Sequence, residues 1–191
     1  VPDHPANETQ LAAFHAMTDG TGLPRSLSAT GGIFRGPRYH FDLTRPGIGL
    51  YGGLPFADAT PVVQLSLPVV QVRHLDPGET VGYGCTWVAK RPTTAVTLLG
   101  GYADGLPRSL SNRAQLWAGN RACPLIGRVS MDLITVDVTD LPDPPAALEI
   151  LNARQGVDAV RQRGDLQQCV ACDRSIGIGE QMMRCRRQRR P

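Results

Sequence analysis

The chain has 191 residues, 41% of them apolar and 19% charged, with a formal net charge of +3. That balance belongs to a globular chain of one ordinary domain or two small ones and excludes a disordered polymer. No run approaches the roughly 18 consecutive apolar residues of a membrane-spanning helix, and no apolar signal segment follows the N-terminus.

In chain order, residues 5–18 predict a helix. Asn7 is placed to cap it, Leu11 and Phe14 share a face, and Asp19-Gly20 marks its stop. Residues 27–53 are rich in glycine and turn signals and read as strand ends and loops. From about Pro61 the texture becomes β. Residues 62–72 are apolar and β-branched, with Pro68 suited to an edge or a bulge. Further short strands are expected at 94–99, 114–118, 125–129, 133–138 and 146–151, with Gly119-Asn120 as a hairpin turn. Several short strands in succession predict a compact β barrel or sandwich of about 90 residues. After about Val160 the apolar pattern breaks. Residues 161–191 carry eight arginines against Asp165, Asp173 and Glu180, a local charge of +5, which leaves −2 on the first 160 residues.

Four glycine-punctuated segments stand out as places where chemistry could sit. They are Arg45-Pro46-Gly47-Ile48-Gly49-Leu50-Tyr51-Gly52, Val81-Gly82-Tyr83-Gly84, Gly101-Tyr102-Ala103-Asp104-Gly105-Leu106-Pro107-Arg108 and Gly127-Arg128-Val129-Ser130-Met131-Asp132. Glycines on both sides of a tyrosine let the backbone turn tightly and leave the phenol exposed. Each segment taken singly also reads as a structural turn. In this order and spacing, however, they resemble alanine racemase, a pyridoxal-phosphate enzyme, over about residues 3–159. Tyr39-His40-Phe41-Asp42-Leu43 and the stretch from Leu151 to Asp158 add to the likeness.

The resemblance implies a mainly β, barrel-like C-terminal domain preceded by the last segment of a (β/α)8 barrel that holds pyridoxal phosphate. The expected boundaries are 1–58 for the barrel segment, 59–160 for the β domain and 161–191 for a basic, atypical tail. It implies that Tyr83 takes the α-proton of L-alanine at an active site shared between two subunits of a homodimer. A free phenol titrates near about 10, so such a base needs positive charge close by. Arg45 matches the residue facing the pyridine nitrogen; a guanidinium does not give up its proton, so that nitrogen stays unprotonated. Thr30, Gly47 and Ile48 match the residues holding the cofactor phosphate, with Ala29 departing from the family's asparagine. Met131 matches the residue whose backbone N–H binds the substrate carboxylate. Tyr102, Arg108 and Arg128 match residues lining the corridor through which substrate enters. Plainer readings stand beside these: a hairpin aromatic for Tyr83, an ion pair with Asp42 for Arg45, a core methionine for Met131, and solvent-facing strand residues for the corridor set.

Of 20 basic residues only Lys90 is a lysine. The family carries its cofactor on a lysine amine near the start of the barrel, and Lys90, seven residues after Tyr83, reads as a surface residue. A whole (β/α)8 barrel takes about 250 residues. The resemblance therefore implies the second half of such an enzyme, inactive alone, in a chain that opens on Val1 as one cut at its front would.

The odd set of five cysteines, Cys85, Cys123, Cys169, Cys172 and Cys185, reads as reduced thiols in a cytoplasmic protein. Cys169 and Cys172 with Cys185 fall short of a four-ligand zinc site, so no metal is expected. The arginine cluster has no aromatic platform beside it, which argues against nucleic acid as a partner. Residues from about 160 onward resemble an out-of-frame reading. The alternatives kept open are a racemase for another small amino acid such as serine, and a basic nucleic-acid-binding protein built on the tail.

Overall fold

A computed structural model describes residues 3–164. The chain divides into two compact units, Val1–Thr60 and Pro61–Pro191. The cysteines of the tail, its arginine cluster and the reading of it as out of frame lie outside the described residues from 165 on.

The first unit opens with α1, Ala6–Thr18. Asn7 does not cap it, because the helix has already begun one residue earlier. Pro5 stands at the N-cap, where its missing N–H is no loss, and the Ala6 N–H donates to His4 Nδ1 at 3.1 Å. Leu11 is buried on its inner face and Phe14 meets Phe41 edge-on, with centroids 4.8 Å apart. The Tyr39 hydroxyl donates to Glu8 at 2.6 Å and Arg38 pairs with the same carboxylate. The remainder of the unit is a parallel bridge between Ala29 and Arg45, a short helix α2 at Thr30–Ile33 and tight helical turns.

The second unit is a closed, antiparallel six-stranded barrel. In chain order its elements are β1 (Leu65–Leu75), the small hairpin β2 (Thr80–Val81) and β3 (Trp87–Val88), then β4 (Thr93–Leu99), β5 (Gln115–Ala118), β6 (Arg121–Ile126), β7 (Leu133–Asp137) and β8 (Ala147–Leu151). Around the barrel the order is β1, β4, β7, β6, β5, β8, and back to β1. Closure removes every free edge, and period-two alternation fills the interior. Val96 and Leu98 point inward from β4, Ile134 and Val136 from β7, and Leu148 and Ile150 from β8; all six are 2% exposed or less. Helix α3 (Val157–Arg163) follows β8 and tucks Val160 into the same core. The regular pattern thus continues a few residues past 160.

Two local expectations shift and a third holds. Pro68 is not on an edge: β1 pairs β8 through residues 65–68 and β4 from Val69 onward, so the proline sits where the strand changes neighbours, between two irregularities in register. The strand expected at 125–129 runs instead over β6, because Gly127 at φ 76° turns the chain out of the ladder. The Gly119-Asn120 hairpin does join β5 to β6, with Ala118 opposite Arg121.

Candidate functional site

Four of the singled-out residues lie in the first unit. The Arg45 N–H donates to Ser28 O at 2.8 Å, completing the parallel bridge, and each bridged strand end runs directly into a helical turn, α2 on one side and Ile48–Tyr51 on the other. Strand ends feeding helices in parallel are the local grammar of βα units. Thr30, 5% exposed, accepts through Oγ1 from the Gly47 N–H at 2.9 Å and from the Gly49 N–H at 3.4 Å. Those bonds use the oxygen's lone pairs and leave its own proton to donate.

The space above this turn is open: a Cβ built on Gly31 or Gly47 would meet nothing within 4 Å. A buried hydroxyl with a proton to give, beside bare glycine backbone, is chemically suited to the phosphate of pyridoxal phosphate. Arg45 donates to Ser26 O at 2.9 Å, to Ser26 Oγ at 2.5 Å and to Leu27 O at 3.3 Å. The expected alternative, an ion pair with Asp42, does not form; the Asp42 carboxylate accepts instead from the Arg25 N–H at 2.8 Å.

The other five residues lie on the barrel unit. Tyr83 starts a helical turn, Tyr83–Cys85, between β2 and β3, and its side chain is 69% exposed. Gly82 and Gly84 take φ of 76° and 71°, which makes the sharp bend possible. A Cβ on Gly82 would stand 3.0 Å from the Arg128 backbone nitrogen, and one on Gly84 would stand 3.7 Å from the guanidinium carbon of Arg128. The Tyr83 turn therefore lies directly on Arg128, which supplies a positive charge beside it.

The Gly127–Met131 stretch also holds the third motif. The Tyr102 N–H donates to Ser130 O and the Ala103 N–H to Met131 O, both at 2.9 Å, and the Gly100 N–H donates to Asp132 O at 2.8 Å. None of these bonds uses the Met131 N–H. Met131 is 53% exposed, so the core-methionine reading fails. Arg108 stacks over the Tyr102 ring at 5.4 Å. One short segment thus brings Tyr83, Arg128, Met131, Tyr102 and Arg108 into a connected set.

Sequence reasoning missed two residues here. Ser111 Oγ accepts from the Val129 N–H at 3.0 Å, and Asn112 bonds both the Gly127 N–H and Thr86. Asn112 sits at φ 57°, a region that asparagine tolerates better than most residues, and that was the available signal. Lys90 is exposed in the bend after β3, as expected of a surface lysine. Cys85 and Cys123 are free thiols; Cys123 is buried, and burial, followed by the nearby Asp137 charge, pushes its pKa up. No helix among the described residues is long and apolar enough to cross a membrane.

The alanine racemase C-terminal domain family matches residues 62–179 and the alanine racemase N-terminal domain family matches residues 1–55. Among curated relatives, the alanine racemase of Cereibacter sphaeroides is 66% identical over 157 residues, covering 82% of this chain and 45% of the relative. That of Jannaschia sp. is 62% identical over 161 residues, covering 84% and 47%. The chain spans about half the length of the relatives it matches. Among solved structures, alanine racemase from Bartonella henselae with covalently bound pyridoxal phosphate superposes with a TM-score of 0.77 at 37% identity, covering 86% of this chain and 48% of that one. The biosynthetic enzyme of Pseudomonas aeruginosa gives 0.73 at 38% identity, covering 84% and 48%. These matches lend no support to a nucleic-acid-binding protein built on the tail.

Proposed function

The chain belongs to the alanine racemase family, and from that premise we propose that it supplies the C-terminal part of a pyridoxal-phosphate enzyme interconverting L- and D-alanine. The observation that carries the reading is the connected set on the barrel, where an exposed tyrosine on a glycine-bracketed turn lies against Arg128, in the same short segment as the exposed Met131.

In this reading the deprotonated Tyr83 oxygen takes the α-proton of L-alanine on one face, and the cofactor-bearing lysine of the family's N-terminal part returns a proton on the opposite face; the roles reverse for D-alanine. The Met131 N–H holds the substrate carboxylate, and Tyr102, Arg108 and Arg128 select a small zwitterion at the approach. In the first unit, Thr30 through its hydroxyl, with the Gly47 and Ile48 backbone, holds the cofactor phosphate, and Arg45 faces the pyridine nitrogen. Pyridoxal phosphate, when bound, withdraws electrons from the substrate Cα and so acidifies its proton. Residues 1–58 are the closing segment of the cofactor-binding barrel, 59–160 the β domain and 161–191 a basic tail. The complete enzyme is a cytoplasmic homodimer with shared sites, supplying D-alanine for peptidoglycan.

The test is complementation. The chain co-expressed with the N-terminal part of the Cereibacter sphaeroides relative is expected to show cofactor absorbance and D-alanine formation. Tyr83→Phe is expected to cut that turnover by roughly 100-fold or more, the usual loss of a positioned acid–base group. Full activity in Tyr83→Phe would refute the role. Alone, the chain offers only Lys90 to carry the cofactor and is expected to form no D-alanine.

A further inference from the structure

The bend that presents Tyr83 is sharp. Three of its four residues from Gly82 to Cys85 have positive φ: 76° at Gly82, 71° at Gly84 and 48° at Cys85. The flanking strands, β2 and β3, are two residues each. Val81 and Trp87 in those strands pack with Leu75, Ala89, Ala95 and Ile126, but the glycines of the turn itself bring no side chain to lock it. The turn nevertheless has a side-chain tie. Thr86, the residue that closes it, accepts through Oγ1 from Asn112 Nδ2 at 3.2 Å, while Asn112 Oδ1 accepts from the Gly127 N–H at 2.7 Å.

From this we infer that Asn112 is a positioning residue, which fixes the Tyr83 turn against the segment carrying Arg128 and Met131. Its two partners lie 26 and 15 residues away in sequence, so one planar amide joins two otherwise separate stretches. A carboxamide suits the task because it offers an acceptor and a donor from a single rigid group. Its base is itself anchored: the adjacent Ser111 Oγ takes the Val129 N–H at 3.0 Å and donates to Arg108 O at 2.5 Å. The ties therefore connect Arg108, Arg128 and the Tyr83 turn. The catalytic consequence rests on reading Tyr83 as the group that takes the α-proton.

The experiment separates the tie from that reading. Hydrogen exchange is followed by mass spectrometry in the full 191-residue chain, comparing Thr86→Val, Thr86→Ser and Asn112→Gly with the parent. Thr86→Val removes the bond to the turn but leaves Asn112 on Gly127. It is expected to raise exchange across residues 81–88 several-fold while 126–130 stay as in the parent. Thr86→Ser keeps the hydroxyl and is expected to behave as the parent, whereas Asn112→Gly, which retains the positive φ without strain, loosens both segments. Thr86→Val indistinguishable from Thr86→Ser would overturn the tie.

In the chain complemented by the N-terminal part of the Cereibacter sphaeroides relative, Thr86→Val is expected to lower kcat about tenfold, the size of one net hydrogen bond, with KM little changed. It is also expected to raise the deuterium isotope effect on α-deuterated L-alanine but not that on D-alanine, a directional signature that general loosening would not give. An unchanged kcat and isotope effect, with Tyr83→Phe inactive, would overturn the positioning role. Activity surviving in Tyr83→Phe would instead sink the reading of Tyr83 and leave the exchange result standing.

Discussion

Gly101 shows how far one missing side chain can matter. A Cβ there would stand 2.2 Å from the Met131 carbonyl oxygen, 2.4 Å from its carbon and 2.5 Å from the Asp132 nitrogen. All three are backbone atoms, so nothing can rotate aside, and the two loops that bring Tyr102 beside Met131 would have to part. Gly101→Ala is expected to destabilise the barrel by about 1–3 kcal/mol, the range for overpacking a tight site. Gly119 is a glycine for a different reason: its φ is 58° and a Cβ would meet nothing within 4 Å. Gly119→Asn should then cost under about 1 kcal/mol, since asparagine accepts that conformation. Both variants can be read from the urea midpoint of Trp87 and Trp117 fluorescence, since both tryptophans lie in the barrel unit. Equal midpoints for the two would show that the Gly101 contact is not a constraint.

Among elements, β4 sits between β1 and β7 with one face fully inside. Leu98 is 0% exposed while its neighbour Leu99 is 53% exposed on the outer face. Leu98→Ala is expected to cost about 2–5 kcal/mol, and Leu99→Ala within about 0.5 kcal/mol, measured on the same urea curve. β4, β5, β7 and the Gly119-Asn120 hairpin are legible in the sequence for a simpler reason: short apolar runs of strand length stand between clear turn signals. The end of β1 is not, because Gln71, Arg73 and His74 are polar and the strand is exposed there. Two-residue strands such as β2 and β3 leave no periodicity to read. In the site, glycines around Tyr83 announced a turn, but the Asn112 ties depend on segments that meet only after folding.

Helix α1 is clasped by charge, which gives it a pH signature. The Tyr39 hydrogen bond, then Arg38, holds the Glu8 carboxyl below the usual glutamate range. Asp19 at the other end is lowered by His15, then Arg25. A carboxyl lowered in the folded state stabilises it above the ordinary carboxylate value, and that contribution fades as pH falls through the lowered one. Carbon chemical shifts of α1 residues should therefore move toward coil values on acidification. Glu8→Gln should already weaken the helix near neutral pH and flatten that change at its N-terminal end. A helix equally formed at acidic and neutral pH in both proteins would exclude the clasp.

At the scale of the whole molecule, the two units differ in what they bury. In Val1–Thr60 the buried apolar side chains among the described residues are Leu11 and Tyr39, while Phe34, Leu43, Leu50 and Tyr51 are more than half exposed. The barrel unit encloses an apolar core fed by six strands and α3. Protection against hydrogen exchange follows buried apolar contact, so the two units should open at different free energies. Amides of α1 and of the Ala29–Arg45 bridge are expected to exchange orders of magnitude faster than those of β4 and β7, and to respond first to mild denaturant. In the complemented protein, where further chain of the same family is supplied, exchange in the first unit should slow while β4 and β7 change little. Equal protection of α1 and β4 in the chain alone would contradict this ordering. It would mean that the first unit draws its stability from something other than its own apolar core.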